Sequence, residues 1–246
     1  MSKIVLILGA GPNIGLNLAQ VFSSNSYKTI VVSRTPKEEL TKSADLAIQA
    51  DFSDPKSIKS IFDEVKQKIG VPNVVIYNGL TPTLHMTQLM PPAAAASAGN
   101  DPFSLPLEKF ISDTNVIVVS GYAAIQETIA GFRTLPESTL KTFIYTGNIL
   151  NRTIYPSLVT FGAAKTAVAH MIEGASGVYA KEGFRFYWAD ERAPNGAAAG
   201  SGIDGKAHAD FYHELASSEE SKTWDATFVK GKGYVDFGGK AGPLDA

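Results

Sequence analysis

The chain predicts an α/β fold, a doubly wound parallel sheet of about seven strands with helices on both faces. Three observations carry that expectation. An apolar run, Ile4-Val5-Leu6-Ile7-Leu8, passes through Gly9-Ala10-Gly11-Pro12-Asn13-Ile14-Gly15 into helical spacing at Ile14, Leu18, Val21 and Phe22. Short apolar runs and amphipathic stretches then alternate over residues 27–79. Finally, 246 residues, 44% hydrophobic and 19% charged, fill one core, and no composition break marks a second. One domain over residues 1–246 is expected.

The first run is continuous in β-branched residues and leucine, the pattern of a strand buried on both faces. In the turn behind it, glycines let an anion approach the backbone, while the unpaired N–H groups and dipole of the helix start favour a dinucleotide pyrophosphate. The spacing Gly9-x-Gly11-x-x-x-Gly15 departs from the GxGxxG fingerprint, so a ligand-free tight turn is the alternative. A second strand over 28–34 ends in Ser33-Arg34. There an acidic residue grips a ribose 2′-hydroxyl, whereas an arginine pairs with a 2′-phosphate, so Ser33 and Arg34 favour NADP(H). The bland alternative is an arginine solvated at a strand end.

The third strand, 46–50, ends at Asp51-Phe52, and Ser53-Asp54-Pro55 opens the next helix. Its stripe of Ile58, Ile61, Phe62, Val65 and Ile69 stops at Gly70-Val71-Pro72. A fourth strand, 74–77, runs into Asn78-Gly79. The order β-α-β-α-β-α-β with right-handed crossovers is Rossmann-type. Over 80–106 the periodicity fails among Pro82, Pro91, Pro92 and the alanines 93–96. A loop this long, leaving the carboxyl end of a strand, predicts a flexible flap near the substrate. Helix follows over 115–132, strand over 142–146, helix over 157–181 and strand over 184–189. Asp190-Glu191-Arg192 and a glycine- and alanine-rich loop lead to a helix over 205–221 and a terminal strand near 233–237.

Composition excludes several classes. Net charge is −2 with dispersed basic residues, so no nucleic-acid or anionic-membrane footprint exists and a small-molecule substrate is expected. With no cysteine, disulfides and thiolate metal sites are out, which suits a reducing compartment. The apolar run at the start is too short for a signal h-region or a membrane span, so a cytoplasmic location is expected. His208 and His213 miss the i, i+4 spacing of a helical metal pair, and no metal is expected. No Gly-x-Ser-x-Gly elbow is present. A stripe of Ala164, Val168, Met171, Ala175 and Val178 on the long helix would let another helix come close, predicting a homodimer or homotetramer.

Taken in order, these motifs resemble the short-chain dehydrogenase/reductase family over nearly the whole chain. The stretch from Leu8 to Gly15 is similar to the family's TGxxxGxG, with Asn13 at its middle glycine. Asp51 resembles the adenine-binding aspartate, Asn78-Gly79 the Asn-Asn-Ala-Gly after strand four, and Asn115 the helix asparagine of the catalytic tetrad. Tyr234-Val235-Asp236-Phe237-Gly238-Gly239 is similar to the terminal Val-Asp-Gly-Gly. The resemblance implies an oxidoreductase in which Gly9, Gly11, Asn13, Ile14 and Gly15 hold the pyrophosphate, Asp51 and Phe52 the adenine, Asn78 and Gly79 the adenine ribose side, and Lys165 the nicotinamide ribose. It also implies that the helix carrying Lys165 pairs with its counterpart in a symmetry mate.

The family's Tyr-x-x-x-Lys falls on Phe161-Gly162-Ala163-Ala164-Lys165, so the tyrosine is a phenylalanine. Asn148 stands where the family's serine orients the substrate, and Glu191-Arg192 replace its Pro-Gly. Phenylalanine cannot donate a proton, and general acid catalysis is worth about a hundred- to ten-thousand-fold. Three explanations stand open. Tyr145, Tyr155, Asp190 or Lys165 itself supplies the proton; the substrate, such as an iminium ion, needs none; or the chain binds NADP(H) without redox chemistry, as a sensor, a regulatory protein or an enzyme of another reaction.

Overall fold

The computed structural model describes residues 3–79, 101 and 103–239. Its strands are β1 (Lys3–Leu8), β2 (Tyr27–Ser33), β3 (Leu46–Gln49), β4 (Val74–Tyr77), β5 (Lys141–Thr146), β6 (Phe184–Arg192), β7 (Asp225–Val229) and β8 (Gly233–Tyr234). They form one sheet in the order β3-β2-β1-β4-β5-β6-β7-β8. The pairs are parallel through β7, and β8 returns antiparallel. The helices are α1 (Ile14–Ser24), α2 (Glu38–Lys42), α3 (Lys56–Lys68), α4 (Leu107–Thr114), α5 (Ser120–Phe132), α6 (Val159–Tyr179) and α7 (Gly205–Ser217).

Alternation along each strand divides the core in two. On β1, Ile4, Leu6 and Leu8 join a cluster with Ile61 of α3, Ile125 of α5 and Val168 of α6. Val5 and Ile7 face the other way, into a cluster with Leu18 of α1 and Leu215 of α7. Helices therefore cover both faces, as the doubly wound reading requires. Every turn leaving a parallel strand opens on the same edge of the sheet, and that edge carries the candidate site.

Four expectations need correction. The sheet has eight strands rather than about seven, because β7 follows a polar, charged stretch and is only five residues long. Strand six runs on through Asp190, Glu191 and Arg192, which pair with Thr227, Phe228 and Val229 of β7. The helix expected over 115–132 starts instead at Leu107 and passes through a π turn, Asn115–Val119. The small-residue stripe of α6 does not await a partner: Ala164, Val168 and Ala175 are buried against the sheet with Met171 beside them, and Val178 alone is exposed. Of the flap expected over 80–106, residues 80–100 and 102 lie outside the described residues.

Candidate active site

The turn between β1 and α1 is built around two glycines that accept no side chain. Gly9 has φ +90°, and a Cβ there would lie 2.5 Å from the Asn78 carbonyl oxygen. At Gly15 a Cβ would lie 2.5 Å from the Ala10 backbone, so the helix start packs directly on the turn. Asn78 braces the same turn, its N–H donating to Leu8 O at 2.7 Å and its Nδ2 to Gly9 O at 2.9 Å. Around Gly11, by contrast, a Cβ would meet nothing within 4 Å, leaving a backbone concavity at a helix N-terminus. Nearby, at the end of β2, Ser33 Oγ is buried without a hydrogen-bond partner and Arg34 is exposed. An anion there would satisfy the hydroxyl and meet the guanidinium, so these residues fit a phosphorylated dinucleotide. Asp51 is exposed with its carboxylate accepting from Ser53 N at 2.9 Å, and Phe52 is buried against Tyr77. Gly79 is buried over the Tyr77 ring.

The second part of the site lies on β4, β5, β6 and α6. Register places Tyr77, Tyr145 and Trp188 side by side, and their rings stack at 5.1 and 5.5 Å. Over this ladder sits Lys165, buried, with Nζ 4.9 Å from the Tyr145 ring, 5.4 Å from Phe161 and 5.5 Å from Trp188. Its Nζ donates to Thr146 O at 3.1 Å. Rings favour the ammonium, but they solvate it far less than water does. Burial accordingly pulls Lys165 down from 10.5 to about 7, against the opposing effect of Asp190.

The other candidate catalytic groups are engaged elsewhere. Tyr145 Oη donates to Ile117 O at 3.0 Å, and Tyr77 Oη to Val116 O. Both serve the π turn, whose irregular bonding frees carbonyls that buried phenols satisfy. Burial raises both phenols well above the usual range, so Tyr145 stays protonated at neutral pH but is a weaker acid than a free phenol. Asn115 opens that π turn and donates to Ser53 O at 3.2 Å. Asn148 spends its Oδ1 on Leu150 N at 3.1 Å, capping the 3-10 turn Ile149–Asn151. Tyr155 packs half-buried against the core. Lys165 thus remains as the titrating group that faces the aromatic ladder.

Asp190, Glu191 and Arg192 do not form an open acidic cluster. Asp190 pairs with Arg192, both almost wholly buried, and Arg192 Nη1 donates to Gly196 O at 3.0 Å. Burial pushes the Asp190 carboxyl up to about 6 while Arg192 pulls against it. Glu191 points to the opposite face, 3.2 Å from His208 Nδ1, and accepts from Asp204 N at 2.8 Å. Strand alternation thus sends Glu191 and Arg192 to opposite faces, each to a different partner. The Asn13 side chain reaches across to the start of α7, its Oδ1 accepting from Gly205 N at 3.0 Å. Sequence reading missed the buried Glu191–His208 pair. Its one signal was two charged residues continuing an apolar strand, a pattern that requires partners. Among the described residues no cluster of His, Cys, Asp and Glu has the arrangement of a metal site, and no helix is long and apolar enough to cross a membrane.

Comparison with known proteins assigns the class. A short chain dehydrogenase family model matches residues 3–97. The short chain dehydrogenase/reductase dmxR12 of Cryptosporiopsis sp. (strain 8999) is 43% identical over 236 residues, covering 96% of this chain and 95% of that one. This chain belongs to the short-chain dehydrogenase/reductase family, a family of oxidoreductases. Among solved structures, a tyrosine-to-phenylalanine variant of ElxO with NADPH bound matches with TM-score 0.71 at 16% identity, over 93% of this chain and 97% of that one. A short-chain type dehydrogenase/reductase from Mycobacterium marinum matches with TM-score 0.70 at 18% identity, over 92% of each chain. At those identities the likeness is one of fold.

Proposed function

We propose that the chain is an NADP(H)-dependent oxidoreductase reducing a small organic carbonyl or imine, with Lys165 holding the proton that a phenol would otherwise give. The observation that carries the reading is the Lys165 amine itself, buried among three rings beside Phe161 and titrating near neutrality. Gly9, Gly11, Asn13, Ile14 and Gly15 would hold the pyrophosphate through backbone, Ser33 and Arg34 the 2′-phosphate, Asp51 and Phe52 the adenine, and Asn78 and Gly79 the adenine ribose side. When bound, the nicotinamide supplies the hydride.

The chain's own part is proton handling and exclusion of water. With Lys165 brought down to about 7 by burial, loss of the Nζ proton is far easier at neutral pH than for an exposed lysine. The burial of Lys165 away from water favours the neutral amine left after that proton passes to the substrate oxygen or nitrogen, so donation is favoured over what an exposed lysine offers. An iminium substrate needs no such donation. A cysteine-free sequence suits work in a reducing compartment such as the cytoplasm. The test is titration of NADPH and NADH by fluorescence, followed by loss of reduced-nicotinamide absorbance with a panel of ketones and cyclic imines. NADPH consumption with one of these classes is expected. Tight NADPH binding without consumption by any panel member would instead favour a sensor.

A further inference from the structure

We infer that Asn13 is a positioning residue that latches the segment between β6 and α7 onto the glycine turn, and so sets how fast the dinucleotide enters and leaves. The inference rests on the cofactor reading above. Asn13 Oδ1 accepts from Gly205 N at 3.0 Å, and its Nδ2 donates to Ile203 O at 3.4 Å. Its own carbonyl is held by Asn17, whose backbone N and Nδ2 donate at 3.3 and 3.0 Å. The fit is close enough to dictate the opposing residue. A Cβ at Gly205 would lie 2.4 Å from Asn13 Oδ1 and 2.7 Å from Asn13 O, so α7 can begin here only with glycine.

The segment 193–204 is tied at both ends. At its start, Arg192 Nη1 holds Gly196 O, Ala193 N donates to Ala197 O at 2.9 Å, and Arg192 bridges to Ala198. At its end, Asp204 N donates to Glu191 Oε2, the Asp204 carboxylate caps α7 through Ala207 N at 2.9 Å, and Lys230 pairs with it at 2.6 Å. These ties join the strap to β6, β7 and α7, whereas Asn13 joins it to the pyrophosphate turn. Since β4 and β5 stand between β1 and β6 in the sheet, a dinucleotide reaching from the glycine turn toward Lys165 runs along the edge that this strap closes. Glycine at position 13 would leave the far end of the strap unattached to the turn. One part-buried and one exposed hydrogen bond make a latch that opens without unfolding α7.

The experiment uses the intact chain with Asn13→Gly and Asn13→Asp. In cofactor-free protein, Asn13→Gly should speed hydrogen exchange at the Gly205 amide about tenfold without changing the melting temperature, and Asn13→Asp, which keeps the Oδ1 acceptor, should restore protection. In stopped-flow fluorescence, NADPH should dissociate from Asn13→Gly about tenfold faster than from wild type. Unchanged Gly205 exchange shows that there is no latch. Faster exchange with unchanged NADPH release shows a latch that does not cover the dinucleotide, and either result overturns the inference while the cofactor reading stands. Wild type that binds no dinucleotide overturns both, and the exchange arm still reports whether the contact exists.

Discussion

Replacing Lys165 by methionine separates the cost of its buried amine from its chemical use. Methionine matches the length of the stem, fills the space among Tyr145, Phe161 and Trp188, and carries no charge. In the fold Lys165 titrates at about 7 and in the unfolded chain at 10.5, so between these values the unfolded chain binds the extra proton. Stability from this group therefore rises with pH across that window, with a slope approaching about 1.4 kcal/mol per pH unit. Between about pH 7 and about pH 9 wild type should gain on the order of 2 kcal/mol. Tyr77, Tyr145 and Tyr212, all raised by burial, oppose this only at the alkaline end, where unfolded phenols ionise. At neutral pH the charging penalty is on the order of 4 kcal/mol, of which the lost bond to Thr146 O returns about 1 kcal/mol. Lys165→Met should then be more stable than wild type by roughly 2–3 kcal/mol at neutral pH, with a flat profile above it. Urea denaturation followed by circular dichroism at three pH values measures both quantities. A variant less stable than wild type, or one that keeps the alkaline rise, refutes the assignment of a buried, neutral-prone amine.

Three more outcomes are expected. Arg34→Asp should weaken NADPH by about 1.5–3 kcal/mol, the value of a charge-assisted hydrogen bond, and leave NADH little changed; equal loss of both by calorimetry contradicts a 2′-phosphate contact. Phe161→Tyr adds a hydroxyl to a ring centred 5.4 Å from Lys165 Nζ and should raise ketone reduction at least about a hundredfold, further with Asn148→Ser, which keeps a capping oxygen; a folded double variant no faster than wild type contradicts it. Light scattering should give a homodimer or homotetramer, built on the exposed Leu107, Ile111, Val119 and Tyr122 of the α4–α5 helix rather than on the buried stripe of α6; a monomeric mass at working concentration contradicts this.

Much of the fold was legible because each long element carries its period openly. Ile58, Ile61, Phe62 and Val65 mark α3 without any partner in view, and β1 announces itself as a two-sided strand. β7 was not legible, since Asp225-Ala226-Thr227-Phe228-Val229 alternates weakly and becomes a strand only when β6 is beside it. The tight turn between β1 and α1 was readable from spacing, because Gly9 and Gly15 are demanded by backbone geometry. The catalytic candidates were not, because an asparagine or tyrosine in sequence does not reveal where its polar atoms go. Asn115 through Nδ2, Asn148 through Oδ1 and Tyr145 through Oη each bond a backbone group within the fold. Lys165 alone could be singled out beforehand, by its spacing from Phe161, yet its aromatic cage required Tyr145 and Trp188 to meet across the sheet.

The pH dependence of NADPH-coupled reduction, measured as kcat/KM with the best ketone of the panel, tests the central claim most directly. A group that must hold a proton to donate it, and that loses it at about 7, predicts a rate that falls tenfold per pH unit on the alkaline side. Lys165→Met should abolish that limb along with most of the activity. A rate that stays level from about pH 6 to about pH 9, or a limb that survives in Lys165→Met, would show that the proton comes from another group.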